Sequence, residues 1–132
     1  MVVRYVGPKG DPGMRLLQRF LWMLSAKGLQ DKIAFITDGR FSGTNKGCAV
    51  AHIGPEAAEG GPLAVLRDGD IIEINIPEEK LNVELSVEEL RQRQEKWVPP
   101  KSRVRKAYLA IYSRMAKSAD RGAAQDYGDP AE

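Results

Sequence analysis

The feature that most constrains this 132-residue chain is a stretch near its start, Gly7-Pro8-Lys9-Gly10-Asp11-Pro12-Gly13. Three glycines and two prolines in seven positions exclude regular structure there. Proline fixes φ and removes an N–H donor, and glycine loses the most entropy on ordering. The flanks have opposite habits. Residues 2–6 are short and β-rich. Residues 14–26 carry Leu17, Phe20, Leu21 and Leu24 at helical spacing. Leu16, Trp22 and Met23 widen that apolar face, so the spacing predicts a largely buried helix that stops near Gly28. The chain therefore opens as strand, glycine loop and helix.

The same grammar recurs. Residues 33–37 read as a buried strand, followed by the polar glycine loop 38–47 and a further strand at 48–53. Residues 55–61 are a turn or short helix. Three more strands are expected at 63–67, 70–76 and 81–85. Within the second, Ile72, Ile74 and Ile76 alternate with Glu73 and Asn75, as in a half-buried strand. The Asp68-Gly69 pair is a hairpin signal. Ser86 and Glu89 fit a capping box that opens a helix with Val87, Leu90 and Trp97 on one face, ended by Pro99-Pro100. A last helix over 104–118 places Val104, Ala107, Tyr108, Ile111, Tyr112 and Met115 on one stripe. From Gly122 the chain turns small and polar. The reading is α/β, with one domain over residues 1–121 and a flexible tail over 122–132.

Composition bounds what such a domain can do. Hydrophobic residues at 42% and charged residues at 29% are an ordinary globular balance. A net charge of +2 is too near neutral for a nucleic-acid binder. The charge is segregated: residues 51–90 hold ten acids and two bases, residues 91–121 ten bases and two acids. Mutual neutralisation across one surface is the expected outcome. A single cysteine, Cys48, excludes an internal disulfide, and it cannot alone hold an iron–sulfur cluster or a Cys-rich zinc site. No apolar run approaches the roughly 18 residues of a membrane span, and the N-terminus lacks the pattern of a signal peptide. The expectation is a cytoplasmic protein with no membrane partner.

Both glycine loops follow strands, where α/β proteins place ligand groups. Neither carries a dinucleotide or Walker-type fingerprint. The second holds Ser42 between Phe41 and Gly43, where close backbone approach and N–H donors become available. His52, the only histidine, is the one partner a Ser-His-Asp triad could use, yet its neighbours Ala51 and Ile53 suit a structural histidine. Cys48 reads as a small buried side chain. Lys9 and Lys46 could each position a carboxylate.

Three ordered motifs go further: Arg4-Tyr5-Val6-Gly7-Pro8-Lys9-Gly10-Asp11-Pro12-Gly13-Met14, Thr37-Asp38-Gly39-Arg40-Phe41-Ser42-Gly43, and His52-Ile53-Gly54-Pro55-Glu56 running on to Gly60-Gly61-Pro62. Together they resemble the C-terminal domain of the dihydroxy-acid and sugar-acid (phosphogluconate) dehydratases, and the likeness covers nearly the whole chain. The resemblance implies a swivelling β/β/α domain, a barrel-like mixed sheet flanked by helices. It implies a hydro-lyase that converts a 2,3-dihydroxy acid to a 2-keto-3-deoxy acid, with an iron–sulfur cluster and Mg2+ in the complete enzyme. Ser42 occupies the position of the proposed base. Gly39, Arg40 and Gly43 of its loop, with Lys9 and Gly10 of the first, are the expected substrate-binding residues.

Two departures qualify the resemblance. Val6 stands where the dihydroxy-acid enzymes usually have a metal-binding glutamate, which points toward a sugar-acid branch. The cluster cysteines lie in a large N-terminal domain that this sequence does not contain. The expectation is therefore a domain inactive by itself, binding no cofactor or metal alone, whose partners are that cluster-binding domain, a small acid substrate and further copies of the enzyme. The alternative is a non-catalytic module that binds a small carboxylate or assembles subunits.

Overall fold

A computed structural model describes residues 1–43 and 46–126. Its centre is β2 (Phe35–Thr37), which pairs in parallel with β1 (Val2–Val3) on one side and β3 (Ala49–Val50) on the other. The register sets Val2 beside Ile36, Val3 beside Thr37, and Phe35 beside Ala49. All three β2 residues are buried, the environment that suits a short apolar strand between two parallel neighbours.

Successive side chains on a strand face opposite ways, and β2 uses this to organise both halves of the core. Phe35 points to one side, where it meets Leu21 and Leu24 of α1 (Gln18–Ala26). Its ring lies 5.7 Å from that of Phe20 and stands edge-on to that of Phe41 at 5.9 Å. Ile36 points to the other side, into a cluster with Ala57, Leu63, Ala64 and Val65, and with Ile72, Ile74, Leu90 and Trp97 at its border. That second cluster is roofed by the antiparallel hairpin of β4 (Ile72–Asn75) and β5 (Lys80–Val83) and by α2 (Val87–Glu95). The architecture is mixed α/β with three α-helices and two small sheets, and among the described residues neither sheet closes into a barrel.

Several elements differ from their expected form. Residues 63–67 do not make a strand: Pro62–Val65 is a 3-10 turn. Proline at its first position favours a helical start, and the Arg4 guanidinium donates to the carbonyls of Leu63, Ala64 and Leu66 at 2.6, 2.9 and 2.9 Å. The Asp68-Gly69 turn therefore leads from that 3-10 turn into β4 rather than joining two strands. The hairpin turn lies instead at 76–79, where Glu79 adopts φ +53° and its N–H reaches the Ile76 carbonyl. Helix α1 starts at Gln18 rather than residue 14, because Met14 and Leu17 are engaged by the second loop. Its face is narrower than expected: Leu16, Trp22 and Met23 are exposed.

The last helix, α3 (Ala107–Met115), buries Ala110 rather than the expected stripe, and Tyr108, Leu109 and Ile111 face outward. After it the chain turns back on itself. Lys117 N–H donates to Ala124 O, Asp126 N–H to Met115 O, and Ala116 and Gln125 form an antiparallel bridge. Residues 127–132 of the expected tail lie outside the described residues. Of the expected capping box the N-cap half forms, with Glu89 N–H on Ser86 Oγ at 3.1 Å, while the Glu89 carboxylate is taken by Arg93. Among the described residues no helix is long and apolar enough to cross a membrane.

Charge segregation resolves partly into pairing across the two segments. Arg93 of α2 forks onto Asp70 with contacts of 2.6 and 3.1 Å, and it also binds Glu89. The guanidinium hydrogen bonds hold the Asp70 carboxyl below the ordinary aspartate range. A lowered folded-state pKa gives stability that is complete above the unfolded value and lost as pH falls through the folded one. Asp70→Asn is thus expected to lower the thermal midpoint at pH 7, with the gap to wild type closing in acid below about pH 4. Thermal melts of both proteins across pH 3–7 check this; a gap that is constant over the range refutes it.

Candidate functional site

Because β1, β2 and β3 run parallel, the loops that leave their C-terminal ends emerge on one edge of the sheet, the edge where open α/β sheets bind ligands. These three loops are the three motifs of the sequence. The outer two begin with a residue in left-handed backbone geometry, Tyr5 at φ +62° and His52 at φ +57°. For a non-glycine residue this conformation costs about 1–2 kcal/mol and persists only when its surroundings enforce it.

His52 is held by its N–H on Gly39 O at 3.0 Å, and two buried carboxylates hold the first loop, Tyr5 included. Asp38, at the end of β2, has no exposed surface. Its Oδ2 accepts the N–H groups of Tyr5 (3.0 Å) and Ala57 (2.9 Å), and its Oδ1 accepts that of Val6 (3.1 Å). Glu56, on the third loop, is equally buried and takes two more donors of the first loop: Lys9 N–H on Oε1 at 2.8 Å and Gly10 N–H on Oε2 at 3.0 Å. Five backbone donors that a glycine–proline loop cannot satisfy by regular structure are satisfied by two side chains. Gly7 fits only because it has no side chain. A Cβ there would stand 2.5 Å from Glu56 Oε2.

Burial pushes the Glu56 carboxyl above the ordinary glutamate range, and the charges of Asp38 and Glu59 add to this. The Gly10 and Lys9 amides oppose the rise without cancelling it. A buried, perturbed carboxylate among glycine loops is a recurrent property of functional sites.

The second loop is tied down separately. Phe41 anchors it to the core through its edge contact with Phe35. Ser42 is half-buried, and its N–H donates to Oε1 of the buried Gln18 on α1 at 2.9 Å. Arg40 binds the first loop, with Nε on Met14 O at 2.6 Å and a second nitrogen on Gly13 O at 3.2 Å. Gly39 is packed against Val6, where a Cβ would stand 2.8 Å from Val6 Cγ2, and its N–H is taken by Thr37 Oγ1. Gly43 faces open space. Lys9 is paired with Glu59.

The expected site residues are thus on one edge, but in two groups. Gly39 and Arg40 meet the first loop directly. Lys9 and Gly10 line a cavity of about 280 Å³ with Tyr5, and Ser42 does not line it. Among the donors expected to meet substrate, the amides of Lys9, Gly10, Gly39 and Ser42 already hold the scaffold together. His52 is exposed rather than buried in a strand, because β3 ends at Val50 and the left-handed turn at His52 carries it outward. Cys48 is half-buried.

Spacing and composition do not mark Asp38, Glu56 and Gln18 as site residues. Their signal is a charged or amide side chain embedded in an apolar or small-residue run, such as Glu56 before Ala57-Ala58. No group of three or more His, Cys, Asp and Glu among the described residues could hold a metal ion.

Glu56→Gln tests the clamp. The amide has one acceptor oxygen where two are needed, so one buried N–H is orphaned, at about 1–3 kcal/mol. The urea midpoint should fall accordingly with an unchanged m-value; a wild-type midpoint would dismiss the clamp as decorative.

Residues 1–123 match the family model described as dihydroxy-acid/6-phosphogluconate dehydratase, C-terminal. A dihydroxy-acid dehydratase of Methanosarcina barkeri is 51% identical over 126 residues, covering 96% of this chain and 23% of that protein. The corresponding enzyme of Caldanaerobacter subterraneus is 48% identical over 123 residues, covering 93% of this chain and 22% of the relative. That of Desulfatibacillum aliphaticivorans is 47% identical with the same coverage. The chain spans less than a quarter of the length of these relatives. They carry the dihydroxy-acid name, so the sugar-acid expectation drawn from Val6 finds no support in them. With three loop motifs, one sheet edge and a match over nearly all its residues, the chain belongs to the dihydroxy-acid/6-phosphogluconate dehydratase family and corresponds to its C-terminal domain.

Proposed function

We propose that the chain is the part of a hydro-lyase that presents the Ser42 loop to a 2,3-dihydroxy acid, which the complete enzyme converts to a 2-keto-3-deoxy acid. The observation that carries this reading is the family match, together with the convergence of all three family motifs on one edge of the parallel sheet. The fold it implies is the swivelling β/β/α domain, with residues 1–121 as its body and 122–132 as a tail.

In this reading Ser42, as its alkoxide, accepts the C2 proton of the acid and that proton passes to the departing C3 hydroxyl, which leaves as water; the resulting enol tautomerises to the keto acid. A serine oxygen can act so only if it is held still and its negative charge is stabilised. Phe41 and Gln18 hold it still, by packing and by the bond to its amide. Glycines on both sides of Arg40-Phe41-Ser42 leave the backbone free to approach the substrate closely. Gly39, Arg40, Gly43, Lys9 and Gly10 are proposed to shape that approach.

An iron–sulfur cluster does not fit this chain, since one half-buried cysteine cannot ligate it. The carboxylates Asp38 and Glu56 are also ill suited to Mg2+, because both are occupied by backbone N–H groups. No step is therefore assigned to either group here. A cluster-bearing partner domain must complete the site, and the same reading carries a cytoplasmic, homo-oligomeric enzyme with no nucleic-acid or membrane partner.

Two assays test the proposal. The isolated chain, incubated with dihydroxy and sugar acids, should form no 2-keto acid; turnover by the chain alone would overturn it. In the assembled enzyme Ser42→Ala should lower kcat by at least about 10²-fold, the contribution typical of a lost general base, while leaving the cluster's absorbance intact. Near-normal turnover would remove Ser42 from the reaction.

A further inference from the structure

We infer that the cavity between the first glycine loop and residues 100–103 is a binding site for a small oxyanion. It encloses about 280 Å³, near the lower end of small-molecule pockets, which run to about 300–1,000 Å³. Tyr5, Lys9 and Gly10 line one side; Lys101, Ser102 and Arg103 line the other. No acidic side chain lines it.

Two cations beside the cavity, Lys101 and Arg103, are not neutralised, whereas several others in the domain are. Arg15, Lys80, Arg91, Arg93 and Lys117 each have a carboxylate partner, and Arg4 and Arg40 bind carbonyls. Among the described residues Lys101 and Arg103 have neither an acidic partner nor a side-chain hydrogen bond. Lys9 is paired with Glu59 and contributes only at the rim. Two unpaired cations beside one concavity raise the local concentration of small anions, and a guanidinium fork matches the planar or tetrahedral oxygens of a carboxylate or phosphate.

The wall opposite them is rigid and supplies a further donor. The Tyr5 hydroxyl accepts the Trp97 Nε1–H at 3.1 Å, which leaves its own proton to donate. Gly10 is held by Glu56, and its lack of a side chain lets it pack against the Tyr5 backbone. A Cβ there would stand 2.7 Å from the Tyr5 carbonyl. The site shares Lys9 and Gly10 with the proposed substrate approach, but its Lys101–Arg103 wall is separate from Ser42, and anion binding there is measured without turnover.

Amide NMR of the full chain, titrated with sodium phosphate and with sodium gluconate at constant ionic strength, tests the site. Phosphate or gluconate should give saturable shifts confined to Tyr5, Gly10, Ser102 and Arg103. Saturation by phosphate alone assigns a phosphate group as the ligand, and saturation by both assigns any small oxyanion. The double variant K101A/R103A should weaken binding at least tenfold. The equally discharged control K27A/K32A, on exposed positions after α1, should bind like wild type. Shifts that do not saturate, or equal losses in both double variants, would overturn the proposal.

Discussion

The placement of two carboxylates without access to water holds the rest of this domain in order. Asp38 and Glu56 together accept five backbone N–H groups from two loops whose glycines and prolines forbid any internal ladder. Burying a carboxylate is unfavourable unless its oxygens are paired, and burying unpaired amides is unfavourable too. Each problem here removes the other. Asp38 follows directly on Phe35, Ile36 and Thr37, so the clamp's position is inherited from the most buried strand of the core.

The scaffold at this sheet edge engages the amides of Tyr5, Val6, Lys9, Gly10, Gly39, Ser42 and Ala57, while Gly43 faces open space on the second loop. The first and third loops meet over Glu56 and the Lys9–Glu59 pair, while the second is secured by Phe41 and Gln18. Separate anchoring leaves the second loop, with Ser42, independent of the clamp that joins its neighbours.

Much of this was legible in the residues. The N-cap at Ser86, the strand at 33–37, the period-2 pattern in β4 and the loop positions are local signals, and they appear in the structure. The strand expected over 63–67 failed for a non-local reason: Arg4, some sixty positions away, takes the carbonyls that a strand would have shared. Leu16, Trp22, Met23 and the outward residues of α3 lie outside the core although they are apolar, because hydrophobicity alone does not say which faces meet a neighbour. The role of Asp38 and Glu56 depends on three loops meeting, which no spacing within one segment encodes. Ser42 stood out only through its motif, since a serine between Phe41 and Gly43 is otherwise an ordinary turn residue.

Amide hydrogen exchange on the unmodified chain tests the central claim most directly, because exchange reads the opening free energy of each N–H separately. If Asp38 and Glu56 tie the loops to the core, the amides of Tyr5, Val6, Lys9, Gly10 and Ala57 will exchange with the slow rates of Phe35 and Ile36, in one cooperative unit. Loop amides that exchange near the unprotected rate while β2 stays protected would contradict the account.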